Sequence, residues 1–261
     1  MRFDMHCHTS EGSIDSKVSV RQFADMFSSM GYEGFMIADH NSYKGCRAWD
    51  AIKHEPQYSR LTVIRGIEYD TKDAGHVLII MPDDIYLSIF RMRGMTLRKT
   101  INLVHEFGGI IGLAHPYGAA GSSAMNFKLM DDRLIGKLDF IEVFNTCESP
   151  SSNRKAALLA EKYGLPGTSG SDSHVTDYVG MACTIINGDI RCNNDMIRAV
   201  KAAATSPETV SAIGVERHET KKGRRKEHWI GVLGYKIYNR GIGKLICPYR
   251  KYRHYKLQKA Y

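Results

Sequence analysis

Long apolar segments are missing from this chain of 261 residues. No uninterrupted apolar run reaches the ~18 residues that a helix needs to cross a bilayer, and no apolar core precedes the first motif near the N-terminus. The six cysteines have no CxxC spacing, so neither a disulfide framework nor a structural zinc knuckle is expected. These absences predict a cytoplasmic protein with reduced thiols that does not insert into membranes.

A net positive charge is absent over most of the chain and is concentrated at its end. The formal net charge is +8, but residues 215–261 hold fourteen Lys or Arg and three acids, a net +11, which leaves −3 for residues 1–214. We therefore expect one domain over residues 1–214 and a basic, aromatic-rich C-terminal extension over residues 215–261. The extension suits either nucleic-acid binding with base stacking or packing over the domain surface; membrane-surface binding is a weaker third option.

Three common catalytic motifs are also missing: a Gly-x-Ser-x-Gly elbow, a Walker loop, and a Gly-x-Gly-x-x-Gly after a strand. What the chain does contain is a set of imidazole and carboxylate side chains close to the ends of predicted strands. These are His6, His8, Asp15, Asp39, His40, Glu68, His76, His115, Asp172 and His174. Six of the eleven histidines belong to this set, a share that packing does not explain. The set predicts a multinuclear metal site.

Short apolar runs alternate with helical patterns along the chain. Strands are predicted at residues 2–5, 34–38, 61–67, 76–81, 110–114, 140–144 and 167–169, and helices at 20–30, 96–107 and 153–163. Such alternation favours parallel strands with helices outside, so that the loops after the strands converge on one face. His76 fits this scheme poorly because it lies at the start of its predicted strand.

The motifs at these strand ends resemble those of the PHP family, named for polymerase and histidinol phosphatase, over roughly residues 1–190. The matching segments are residues 4–9 (DMHCHT), 37–41 (IADHN), 66–68 (GIE), 75–77 (GHV), 114–116 (AHP) and 170–174 (GSDSH). The resemblance implies an α/β fold, a distorted seven-stranded β/α barrel that is TIM-like but not the regular eight-stranded form. The loop after His8 departs from the family's commonest pattern, because it contains two acids and no tyrosine-serine pair.

The resemblance also implies a ligand set for two to three divalent ions. It assigns one ion to His6, His8, Glu68 and Asp172, a second to the bridging Glu68 with His76 and His115, and a third to Asp15, His40 and His174. Glu68, Asp172 and His174 are the expected catalytic residues. Glu11 is the alternative to Asp15, and Asp39 is expected to orient an imidazole through its second nitrogen. Mixed imidazole and carboxylate donors suit zinc, manganese or iron.

Such a cluster predicts hydrolysis of a phosphate ester, because paired metals supply hydroxide near neutral pH and clamp phosphoryl oxygens. The expected enzyme is a metal-dependent phosphoesterase acting on a phosphomonoester or terminal phosphodiester of a nucleotide or oligonucleotide. Alternatives are a histidinol-phosphate-type phosphatase and a non-catalytic nucleic-acid-binding protein with structural metals. Arg65 and Arg154 are candidate contacts for substrate phosphate or ordinary surface residues, Glu142 and Asn145 are candidate neighbours of the ligands, and residues 118–123 form either a loop over the site or an ordinary surface loop.

Overall fold

The computed structural model describes residues 1–118 and 132–215. Within these ranges the chain forms nine strands and five α-helices. The strands are β1 (Arg2–Cys7), β2 (Gly34–Ile37), β3 (Thr62–Asp70), β4 (His76–Ile80), β5 (Ile110–Leu113), β6 (Phe140–Asn145), β7 (Gly167–Gly170), β8 (Ala182–Ile186) and β9 (Val210–Gly214). The helices are α1 (Val20–Ser29), α2 (Lys44–Ile52), α3 (Leu97–Glu106), α4 (Pro150–Tyr163) and α5 (Asn193–Ala203). None of these helices has the length and apolar character needed to span a bilayer.

All nine strands belong to one sheet in the order β7-β6-β5-β4-β3-β2-β1-β8-β9, which curls into a nearly closed barrel. The barrel closes where the residues just beyond β7 meet the end of β1. There the amide of Asp172 donates to the carbonyl of His6 at 2.8 Å, and the amide of His8 donates to the carbonyl of Ser173 at 3.2 Å. The residues that follow β7 are thereby fixed against the end of β1.

The α/β prediction is confirmed, but two of its details are not. β4 runs antiparallel to both β3 and β5. The chain reverses between β3 and β4 because a crossover takes a dozen or more residues, and residues 71–75 allow only a hairpin. β8 and β9 were not predicted, and they add an antiparallel pair beside β1. The described residues therefore hold nine strands where seven were expected. The predicted basic extension, residues 215–261, lies outside the described residues except for Val215.

Helix α1 covers part of the outer face of the sheet with apolar side chains. α1 begins with a capping box, in which Gln22 N donates to Ser19 Oγ at 3.2 Å and Ser19 N donates to Gln22 Oε1 at 2.9 Å. Phe23 and Phe27 of this helix pack on Phe35 of β2, with ring centroids 5.8 and 5.0 Å apart. This layer fixes which face of β2 points outward.

The inner face of the sheet is apolar at one end and polar at the other. Side chains alternate along a strand, so Ile64 shares a face with Glu68, and Ile80 shares one with His76. Ile64 and Ile80 belong to a buried cluster that also contains Met196 and Val200 of α5. The polar ends of the same strands are left to form a site at the opposite end of the barrel.

Candidate metal centre

The six predicted histidines and three predicted carboxylates come together at one end of the barrel. They come from the ends of β1 and β3, from the start of β4, and from the loops that follow β1, β2, β5 and β7. The hairpin explains the position of His76. Because β4 runs antiparallel to β3 and β5, its first residue lies at the same end of the barrel as the last residues of those two strands. His76 is in register with Asp70 of β3.

Glu68 lies at the centre of the cluster and is buried. Its Oε1 is 2.8 Å from His76 Nδ1 and 2.9 Å from His115 Nε2, and its Oε2 is 2.8 Å from His40 Nδ1. Burial alone would raise the pKa of Glu68, but the imidazoles of His76, His40 and His6 outweigh it and hold this pKa well below its ordinary value. Glu68 is therefore a charged carboxylate shared among several rings.

The donor atoms form four overlapping groups of three, each with its atoms within 4.8 Å of one another. The groups are His6, His8 and Glu68; His40, Glu68 and His76; His6, His115 and Asp172; and His8, His40 and His174. This partition differs from the one that the resemblance implies, since His115 groups with Asp172 and His76 groups with His40. Asp15 stands at the rim, with its Oδ2 3.6 Å from His40 Nε2 and 3.5 Å from His174 Nε2.

Three histidines point their Nε2 atoms into the centre of the cluster. Their Nδ1 atoms face acceptors: Glu142 Oε1 at 3.0 Å for His6, Ser13 Oγ at 3.1 Å for His8, and the Asp172 carbonyl at 2.9 Å for His174. A carbonyl or carboxylate oxygen only accepts, and the Ser13 hydroxyl donates to Asp39, so each Nδ1 carries a proton and, when the ring is neutral, Nε2 is the electron-pair donor.

These lone pairs fit a cation between them. The Nε2 atoms of His6 and His8 are 3.0 Å apart, a distance at which two lone pairs repel unless a proton or metal ion lies between or beside them. Glu68 Oε2 is buried and lacks a hydrogen bond of acceptable geometry among the described residues, although the His40 ring is close. A buried, unsatisfied carboxylate oxygen beside converging imidazole nitrogens is the donor set expected of a transition-metal site.

The charges of the rings follow from their neighbours. Burial, helped by the nearby rings of His174 and His40, lowers the pKa of His8 to about 3. Burial opposes charge on His40 too, but Glu68 and Asp15 outweigh it and raise the pKa of His40 to about 9. Without metal ions, protons on the rim rings thus balance the carboxylates, and each bound ion has to displace such protons.

Glu11 and Asp15, the two acids of the loop after His8, have different surroundings. Both carboxylate oxygens of Glu11 accept from the amide of Val20, at 3.2 and 3.1 Å, so Glu11 serves the first turn of α1. Asp15 instead faces His40 and His174. Of these two candidates, the geometry favours Asp15 as the residue of the cluster.

The loop between β1 and α1 also contains Ser13, which the sequence reasoning missed. Ser13 Oγ receives His8 Nδ1 and the amide of His40, and it donates to Asp39 Oδ1 at 3.1 Å. Asp39 was expected to orient an imidazole directly, but it binds Thr9 N at 2.6 Å and Gly45 N at 3.1 Å and acts on His8 through Ser13. No short motif distinguishes such a serine from other loop serines.

Two carboxylates support the cluster from outside. Glu142 contacts His6 Nδ1 and accepts from the amide of His115 at 2.7 Å, which agrees with the expectation that it neighbours the ligands. Asp70 contacts His76 Nε2 and pairs with Arg93. Asp70 was missed, yet its signal was present, since it lies two residues after Glu68 on the same strand and therefore on the same face.

The remaining predicted residues either neighbour the donors or lie away from the cluster. Asn145 Nδ2 donates to Glu142 Oε2 at 3.1 Å and approaches Asp172 Oδ2 at 3.4 Å, as expected for a neighbour of the ligands. Arg65 donates to the carbonyl of Asp83 at 2.9 Å, away from the cluster, and Arg154 is exposed on α4. Of the predicted loop at residues 118–123, only Gly118 lies within the described residues.

A family model for a PHP-associated segment matches residues 150–205. Comparison with the curated proteins finds no match. Among solved structures, PsfC from Pseudomonas syringae PB-5123 is similar with a TM-score of 0.60 and 15% identity, covering 92% of this chain and 98% of that chain.

Two further similar structures are those of a protein with a phosphoesterase domain, assigned by prediction, and of an endonuclease. A two-domain protein from Bacteroides vulgatus, which contains a PHP-like metal-dependent phosphoesterase by prediction, is similar with a TM-score of 0.57 and 16% identity over 82% of this chain and 64% of that chain. Endonuclease Q bound to a 27-mer duplex with an abasic lesion gives a TM-score of 0.60 and 17% identity over 82% of this chain and 60% of its own. At these identities the likeness shows the fold, and together with the family model it confirms the resemblance to the PHP family.

Proposed function

We propose that this PHP-fold protein is a metal-dependent hydrolase, and more specifically a phosphoesterase that cleaves a phosphomonoester or terminal phosphodiester of a nucleotide or oligonucleotide. The observation that carries the proposal is Glu68, a buried carboxylate shared by His40, His76 and His115 with one oxygen lacking a hydrogen bond. The PHP-like phosphoesterase and the DNA-bound endonuclease among the similar structures support the choice of reaction.

The nine predicted donors would hold two to three ions of zinc, manganese or iron. Bound there, such ions would lower the pKa of water and neutralise charge on phosphoryl oxygens. The protein's part is to hold the donors in place: Glu142 fixes the ring of His6 through Nδ1, and Ser13 does the same for His8. Removing such outer partners commonly costs 10- to 100-fold in metal affinity.

At the rim, Asp15, His40 and His174 would hold a third ion or, where that ion is absent, carry the protons of this part of the site. Asp15 is about half exposed and lies between the two rings, so it faces both the cluster and arriving substrate. The charge on His40 and His174 lowers the pKa of Asp15, with the hydrogen bonds to these rings outweighing the cost of burial. Asp15 thus stays ionised, and where no third ion is bound an adjacent imidazole is available to protonate the leaving group.

The deciding experiment is a turnover assay on purified full-length protein loaded separately with manganese, zinc and iron. Substrates would include p-nitrophenyl phosphate, bis(p-nitrophenyl) phosphate, short oligonucleotides and histidinol phosphate, with Glu68→Gln as the inactive reference. We expect metal-dependent release of phosphate or nucleotide that this substitution abolishes. Metal binding without turnover on any ester would instead support the non-catalytic alternative, and activity confined to histidinol phosphate would support the specialised phosphatase.

A further inference from the structure

A cavity of about 480 Å³ opens beside the candidate metal centre, and none of the predicted donors lines it. Its lining includes Gly12, Asn41, Ser42, Lys44, Ser88 and Arg91. Gly12 precedes Ser13 in the loop that carries Asp15, and Asn41 directly follows His40. The cavity is therefore lined by the loops that carry Asp15 and His40, and we expect a molecule bound in it to reach towards the metal centre.

The charged side chains of the lining are all positive. Lys44 and Arg91 contribute an ammonium and a guanidinium, Ser42 and Ser88 contribute hydroxyls, and no carboxylate lines the cavity. Within residues 1–118 and 132–215, neither cation makes an ion pair. This differs from nearby Arg93, whose guanidinium pairs with Asp70.

This local excess of positive charge stands out because residues 1–214 carry a net charge of −3. Two like charges lining one cavity repel each other, and an anion between them removes that cost. The amide of Asn41 is already committed, since its Nδ2 donates to Asp70 Oδ2 at 3.1 Å and its Oδ1 accepts from the amide of Asp70 at 3.2 Å. The two cations and the Ser88 hydroxyl remain for a ligand, and Ser42, whose Oγ accepts from the amide of Lys44 at 3.2 Å, can still donate its hydroxyl proton.

We propose that this cavity binds a second phosphate group of the substrate, other than the one that reacts at the metal centre. A guanidinium matches two phosphate oxygens with a pair of parallel hydrogen bonds, and an ammonium adds a point charge that tolerates several geometries. The proposal rests on the proposed function, because it makes Lys44 and Arg91 determinants of substrate choice. The second phosphate belongs either to a small bisphosphorylated molecule or to the next phosphodiester of a strand.

The first test uses Lys44→Gln, Arg91→Gln and the double variant, with Arg47→Gln as the matched control. Arg47 is exposed on the same helix as Lys44, lies outside the cavity lining and donates a side-chain hydrogen bond to Tyr86 Oη at 3.4 Å, so its substitution removes the same charge. Substrates are linear alkanediol bisphosphates of increasing length and the matching monophosphates. We expect the ratio of kcat/KM, bisphosphate over monophosphate, to fall at least ~10-fold per cation removed, as for a charged hydrogen bond.

The second test measures binding without turnover, on full-length protein in EDTA with a fluorescent thymidine tetranucleotide. Each phosphate contact contributes about 0.7 to the slope of log affinity against log salt for a single strand. Because both cations bind the same phosphate, the double variant should lose about 0.7 from this slope, and Arg47→Gln should keep the wild-type value. Thermal melts of all variants check that the fold is retained.

The outcomes separate the two proposals. A loss confined to bisphosphates supports a small substrate, and a loss confined to the tetranucleotide supports a strand. An equal loss of bisphosphate preference or tetranucleotide affinity in Arg47→Gln and in the double variant overturns the phosphate subsite. So does a double variant that is unchanged in both assays. Absence of ester turnover together with tetranucleotide binding that depends on Lys44 and Arg91 overturns the proposed function and supports a phosphate site in the cavity.

Discussion

Replacing Glu68 by glutamine removes one negative charge from the middle of the cluster while keeping the size of the side chain. Two of the four donor groups contain Glu68. Loss of an outer partner of a ligand already costs about 10- to 100-fold in metal affinity, and a direct donor shared by two groups has to cost more. We expect at least ~100-fold weaker binding of two ions, about 2.8 kcal/mol for each.

The assay is metal analysis of the variant after dialysis against buffered metal, followed by calorimetric titration of the stripped protein. Glu11→Gln is the control, because it makes the same carboxylate-to-amide change at the cap of α1 and not in the cluster. The fold should survive in both variants, since Glu68 contributes no packing to the apolar end of the barrel. Wild-type metal content and affinity in Glu68→Gln would refute the placement of Glu68 at the centre of a metal site.

Three further predictions follow from the same geometry. Asp15→Asn should lower turnover at least ~100-fold, because a displaced catalytic ion forfeits several kcal/mol, whereas Glu11→Gln should cost much less; the reverse ranking in steady-state kinetics would exchange their roles. Glu142→Gln should weaken metal binding about 10- to 100-fold by freeing the His6 ring, measured by titration, and an unchanged affinity would show that the ring is held by other contacts. Protein ending at Gly214 should keep its activity on a small chromogenic ester and lose oligonucleotide affinity in a salt-dependent way; insoluble protein would favour the packing role of residues 215–261.

The strand ends that carry the donors could be predicted from the sequence because each combines a local pattern with a chemical residue type. A short apolar run followed by His-x-His or Asp-x-His indicates both the strand and the end at which its polar residues emerge. His76 was the exception. Its placement depends on the reversal of β4, and that reversal was readable in retrospect from the five residues between Asp70 and His76, which allow a hairpin and no crossover.

The parts that could not be predicted depend on contacts between distant segments. Ser13 becomes a partner of His8 only because the loop after β1 folds onto Asp39, thirty-one residues beyond His8. The lining of the cavity likewise joins the loop after β2 with residues 88–92, which follow β4. Periodicity and motif spacing contain no information on such meetings, so Lys44 and Arg91 were indistinguishable from solvated surface residues. The division near residue 214 stays a prediction.

Backbone strain falls at the same strand ends as the donors. In the described ranges, the non-glycine residues with positive φ are Asn41 at 47°, His115 at 27° and Asp172 at 52°. Non-glycine residues in this region cost about 1–3 kcal/mol each and persist only where surrounding contacts hold them. Their amides donate to the Glu68 carbonyl at 2.9 Å, to Glu142 Oε2 at 2.7 Å and to the His6 carbonyl at 2.8 Å, respectively.

Glycine would adopt these conformations without the steric cost, so stability alone would favour it at all three positions. At His115 and Asp172 glycine would delete a donor of the cluster, and at Asn41 it would delete the two hydrogen bonds to Asp70, which contacts His76. The strain is therefore tied to the side chains that the metal centre needs. A barrel that keeps three such residues around one buried carboxylate is better explained by a functional centre than by packing.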